Sequence, residues 1–191
     1  FILIVALSIF TNTFLTKDNL LSVVRQCSVE AVLAFGMALV LIIGCIDLSV
    51  SSVVALSGCI CVYLIEMSGF PTELAVLLTL LFGAFCGLAN GLIAAFTTIP
   101  AFIITLATQQ VFRGAAYLMT NGYTIIFDSK LNFLGNGDAF GVPNMVIFMI
   151  VIVILGDILL NKTAFGKRVL AVGGNAKAAR MSGISVFRIK A

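Results

Sequence analysis

From Ala31 to Ile65 the chain carries a single charge, Asp47. A helix of those 35 residues would be about 50 Å long, well beyond a hydrocarbon core of roughly 30 Å. The run must therefore break, and Gly44 to Ser49 is the place. Gly44 tolerates a chain reversal, and Asp47 or Ser49 can accept the free N–H groups of a new helix beginning near Val50. Two readings of Asp47 stay open: an N-cap at the membrane surface, or part of a broken helix lining a transport path.

Composition places the chain in a membrane. It is 61% hydrophobic and 10% charged, with a mean hydropathy of +1.21, so a soluble globule of this size would lack the polar surface to stay wet. Phe1 to Phe10 are apolar, with no Met and no basic segment before them, which fits neither a cleavable signal peptide nor a natural start. The five cysteines (Cys27, Cys45, Cys59, Cys61, Cys86) fall in or beside apolar runs and read as reduced packing residues. Without histidine there is no His-based metal site and no Ser-His catalysis. No phosphate-binding loop occurs either: Gly166 and Lys167 come closest, but Asn161 stands where its first glycine belongs. If ATP drives this protein, another subunit binds it, and no enzymatic chemistry and no cofactor of its own are expected.

The apolar runs predict an all-α polytopic bundle of about six spans: the remainder of one over 1–15, then 27–44, 49–65, 74–95, 101–119 and 143–160. The polar link 16–26 is expected in the interface, 66–73 as a tight turn, and 120–142 as a solvated loop whose charges are Asp128, Lys130 and Asp138. Gly83, Gly87 and Gly91 recur every four residues and predict a seam for a close helix. Asn90 beside it makes either an interhelical hydrogen bond or a pore lining. Thr105, Thr108, Gln109 and Phe112 follow i, i+3, i+4, i+7 spacing, a polar stripe that suits an uncharged polyol or glues helices. Arg113 can snorkel, or pair with Glu66 or Glu73.

Residues 161–191 hold seven basic side chains and no acidic one, which puts this segment in the cytosol. Counting spans back from it leaves the Asp47 break and Pro100 on the cytosolic side and 16–26, 66–73 and 120–142 outside. Within the tail, Gly173 and Gly174 free the chain, Asn175 caps, 176–182 favour helix, and Gly183 with Ile184 closes it in the Schellman pattern. Lys177 and Arg180 share one side, with small Ala178, Ala179 and Ser182 on the others. By itself this also suits an interfacial helix held by anionic lipid.

Gly44, Ile46, Asp47, Leu48, Ser49 and Val50 resemble the Gly-Ile-Asp-Leu-Ser-Val signature of the permease subunits of ribose/galactose-type bacterial ABC sugar importers; Cys45 and Ser51 stand where that family usually has glycine. Residues 87–91, 99–108, 112–114 and 120–122 are similar to their counterparts there. Gly173, Gly174 and Asn175, followed by 176–184, resemble the cytosolic loop through which such permeases contact their ATPase. The resemblance implies a single permease domain over 1–191, the first two-thirds of a longer chain in the bacterial inner membrane, with 161–191 as its coupling segment. It implies a second permease chain, cytosolic ATPase subunits that bind the ATP, and an external sugar-binding protein; lipid surrounds the spans and nucleic acid has no part. Asp47, Ser49, Asn90, Thr105, Thr108 and Gln109 are then candidates for the path, and Gly173, Gly174, Asn175, Ala178, Ala179, Arg180 and Gly183 for coupling. The competing class is an ion-coupled carrier or channel with Asp47 as its ion site, which ATP dependence would separate.

Overall fold

A computed structural model describes residues 2–125, 131–139 and 141–191. Asp128 and Lys130 of the expected outer loop lie outside them.

The break is where the length of the charge-poor run required it. Helix α2 (Lys17–Ile42) ends two residues before Gly44, whose φ of +75° turns the chain, and α3 (Val50–Glu66) begins at Val50. Before them comes α1 (Ile2–Phe10). The second long charge-free run divides as expected, into α4 (Thr72–Phe96) and α5 (Ala101–Thr120), with Pro71 and Pro100 immediately before each helix, where a missing N–H costs nothing.

Among the described residues, three helices are long and apolar enough to cross a membrane: α2, α4 and the helix over Asn144–Lys162. The last comprises α7 (Asn144–Asp157) and a π-helical turn, Ile158–Lys162. Apolar α3, at 17 residues, is shorter, and α5 carries the polar stripe and Arg113.

Three expectations are corrected. The link 16–26 is no separate interfacial segment; from Lys17 on it forms the first turns of α2. A helix of 26 residues reaches about 39 Å, so its charged first turns can stand beyond a ~30 Å core without a break. The described residues of the loop 120–142 hold α6 (Leu131–Asn136) and, with Pro143, a two-stranded antiparallel ribbon, β1 (Asp138–Ala139) and β2 (Val142–Pro143). Buried Asn144 secures it, donating from Nδ2 to the Phe133 carbonyl (2.7 Å) and from its backbone N–H to the Gly137 carbonyl (3.0 Å). Arg113 is exposed and pairs with neither Glu66 nor Glu73; among the described residues the one ion pair is Arg25 with Asp138, at 2.7 Å.

The chain forms two compact units, Phe1–Phe35 with Ser129–Gly156, and Gly36–Asp128 with Asp157–Ala191. In the first, Gly156 lets the Phe35 ring lie directly on the α7 backbone. The second holds α3 against both α4 and α5, together with α8 (Ala164–Gly174), α9 (Ala176–Met181) and α10 (Val186–Lys190). The sidedness of this unit is testable at two of its exposed methionines. In a cysteine-free background, Met67→Cys in the turn after α3 should react with an impermeant maleimide from outside, and Met181→Cys from the cytosol; equal sidedness would overturn the charge-based topology.

Candidate functional site

The backbone between α2 and α3 leaves polar groups that neither helix can satisfy, and unpaired groups of this kind are costly away from water. Side chains from the break itself and from α5 meet them, and one from α4 bonds to a side chain of the break. Thr105 on α5 accepts the Leu48 N–H at Oγ1 (3.0 Å) and lies 3.2 Å from the Ile46 carbonyl, to which the hydroxyl donates. Asp47 Oδ1 accepts the Ser49 N–H (2.8 Å) and the Ser49 hydroxyl (2.6 Å). Asn90 on α4 donates from Nδ2 to Ser49 Oγ at 3.0 Å. Asn90, Ser49 and Asp47 thus form a directed chain in which an amide donates to a hydroxyl and the hydroxyl to a carboxylate. Ser49 and Ser52 are 1% exposed, Asn90 and Thr105 4%.

Four of the six path candidates are therefore in one network. The other two are not: Thr108 bonds back to the Thr105 carbonyl (3.2 Å), and Gln109 lies half-buried beyond it on α5. The capping expectation also changes in detail. Ser49 occupies the N-cap of α3 but makes no side-chain cap, because its hydroxyl is committed to Asp47; its carbonyl receives the N–H groups of Ser52 and Val53.

A cavity of about 400 Å³ opens beside the network, lined by Asp47, Asn90 and Thr105 and by Leu39, Ile43 and Gly87. On its α10 side it is lined by Arg188 and Lys190, which the sequence reading used only as signs of cytosolic location. Their i, i+2 spacing on a five-residue helix carries no pattern that points to a cavity.

The glycine seam is divided by this arrangement. A Cβ on Gly83 would only touch Ser57 of α3 (3.8 Å), Gly87 faces open space at the cavity, and a Cβ on Gly91 would lie 2.7 Å from the Ala191 carbonyl oxygen. Edge-to-face stacking of Phe96 on Phe187, with centroids 4.7 Å apart, holds α10 against α4 at the same place.

The tail bears out its local signals. Asn175 Oδ1 accepts the N–H groups of Lys177 and Ala178, both at 3.0 Å. The Gly183 N–H reaches the Arg180 carbonyl (3.1 Å) and the Ile184 N–H that of Ala179 (3.0 Å), with Gly183 at φ +82°, the geometry of a Schellman close. Three coupling candidates lie differently from expectation, Gly174 among them, since it is the last residue of α8 and no free joint. Gly173 does not free the chain: it is in the last turn of α8, and its missing side chain lets that helix rest on the Ile42 carbonyl. Ala179 is 5% exposed, packed with Val172 and Val186 and with Ile43, Ile184 and Ile189 against them. The open face of α9 comprises Lys177, Ala178, Arg180 and Met181.

The family described as branched-chain amino acid transport system/permease component matches residues 19–191. The chain belongs to that family. Within it, the chain is similar to the ribose import permease protein RbsC of Bacillus subtilis, 39% identical over all of this chain and 60% of that protein. It is also similar to the L-arabinose ABC transporter permease protein AraH of Azospirillum brasilense (37%, over 99% of this chain and 56% of the relative) and to AraH of Escherichia coli K12 (38%, 99% and 58%). The chain thus spans less than two-thirds of the length of these permeases. No solved structure matches it. As a permease-family chain with several apolar helices, it is a multi-pass protein of the bacterial cytoplasmic membrane.

Proposed function

We propose that this chain is the membrane-spanning part of an ABC importer that passes a monosaccharide of the ribose or arabinose kind into the cytosol. The observation that carries the reading is the joint between the basic tail and the broken-helix site: α8 rests through Gly173 on the end of α2, two residues before the Gly44 turn, and α10 packs on α4 beside Asn90. A force applied to the tail reaches the break through backbone contacts. The names of the similar permeases favour a sugar over the amino acids in the family's description.

On this reading α9 is the element that an ATPase subunit grips. It is short, capped at both ends, and displays Ala178, Met181 and two cations to the cytosol. A second permease chain completes the path, and an external binding protein delivers the sugar. Asp47 serves as a structural acceptor, since its Oδ1 is spent on Ser49. ATP-driven passage of a neutral solute needs no intramembrane ion site, unlike ion-coupled carriage.

The test is uptake of radiolabelled D-ribose and L-arabinose by proteoliposomes holding the full-length permease, its ATPase and its binding protein. Uptake should require ATP inside and be indifferent to ionophores. Uptake that follows an ion gradient without ATP would establish the carrier reading instead.

A further inference from the structure

Glu30 on α2 and Arg113 on α5 are charges within apolar helices, and both are exposed. Among the described residues neither makes an ion pair or a side-chain hydrogen bond. Both stand at the same depth. Glu30 lies twelve residues before the cytosolic end of α2 at Ile42 and Arg113 twelve after the cytosolic start of α5 at Ala101, so each is about 18 Å along its helix. The two helix ends are level, because Gly44, just past the first, and Ala101 line one cavity. In a ~30 Å core about 12 Å then remain to the outer surface, farther than an arginine stem can snorkel and much farther than a glutamate stem can. Facing lipid, each charge would be costly, so the two faces require a partner.

The faces complement each other. α2 exposes Gln26, Glu30 and Ala34 at four-residue steps, and α5 exposes Gln110, Arg113 and Tyr117. The two helices run in opposite directions across the membrane, so with Glu30 level with Arg113, Gln26 is level with Tyr117 and Ala34 with Gln110. An amide then meets a phenol, and the bulk of the second amide meets a small residue. A second copy of this chain brings both charges at the depth required. A two-fold interface is reciprocal, so it pairs Arg113 of each copy with Glu30 of the other and leaves no charge over. We propose that these faces of α2 and α5 dock a second copy of the chain through two reciprocal Glu30–Arg113 ion pairs. The proposal rests on the reading of two permease chains around one path and adds which faces meet.

Mixed copies test it. Glu30→Lys or Arg113→Glu made alone sets like charges against each other, and each should lower recovery of the detergent-extracted dimer by at least about tenfold. Two differently tagged copies, each carrying one of the changes, should recover on each other's tag as well as native copies do. In that pair the new lysine meets the new glutamate, and the remaining Glu30 and Arg113 meet as before. Native recovery in either single variant overturns the proposal. So does recovery that returns only when both changes are in one chain, since the ion pair is then internal to it.

A cross-link gives a reading that keeps both charges and stands even where a charge reversal prevents insertion. With the five native cysteines replaced, Ala34→Cys in one tagged copy and Gln110→Cys in the other should be joined by a short bismaleimide into a covalent dimer in native membranes. No covalent dimer in a permease that transports overturns the interface. A covalent dimer in a protein without ATP-driven uptake upholds the interface and overturns the importer reading.

Discussion

Ala179→Glu is expected to abolish sugar uptake by unseating the tail's own core. Ala179 packs with Val172 and Val186 and beneath Ile184 and Ile43, so a carboxylate there has no room, no counter-charge and no water. An unpaired buried charge costs about 3–5 kcal/mol, more than a cluster of three small helices can absorb, and α9 should lift away from α8 and α10. The loss is then one of structure, visible as rapid proteolysis between α8 and α10. Contact with the ATPase is tested instead on the open face: Met181, 84% exposed, can become Glu with an effect on folding within about 0.5 kcal/mol. If α9 is what the ATPase grips, Met181→Glu weakens copurification and uptake while the tail resists protease like the native protein. Replacing Lys177 and Arg180 with Gln separates the lipid alternative, which loses about 1 kcal/mol of membrane attachment per charge. Loss of function in that pair with none in Met181→Glu would make α9 a membrane anchor.

How far these features could be read in advance depends on how local their causes are. The Gly44 turn, the Pro100 break, the Asn175 cap and the Schellman close at Gly183 each follow from residues within one turn of each other, and each was legible. Asp47, Ser49, Asn90 and Thr105 were legible one at a time, because polar groups in apolar runs demand partners; that the first three join in a directed chain depends on how α4 packs against the start of α3. Periodicity on α5 promoted Thr108 and Gln109 together with Thr105, yet only Thr105 is level with the break. The burial of Ala179 and the position of Arg188 and Lys190 depend on how three short helices fold back on each other, for which no spacing rule exists.

Gly173→Val is expected to uncouple the two halves of the cycle. A Cβ at Gly173 would collide with the Ile42 carbonyl oxygen and crowd the Ile42 side chain. The obstacle is the backbone of α2, with no flexible chain end to swing aside, so α8 must shift off the helix it rests on. Overpacking of this kind costs about 1–3 kcal/mol, small enough for the protein to insert and assemble. On the importer reading, what changes is transmission: α9, held to α8 through Val172 and Ala179, would still engage the proposed ATPase, but its movement would no longer reach the end of α2 and the Gly44 turn. ATP hydrolysis should persist while ribose uptake falls by an order of magnitude or more, to be measured on the same proteoliposomes. Gly174 is the control, being the next residue of the same turn with nothing within 4 Å of a Cβ. Gly174→Ala should transport normally and gain up to about 1 kcal/mol in helix propensity. Equal damage at both positions would show that the glycines serve the flexibility of the tail, and that the close approach of α8 to Ile42 has no part in coupling.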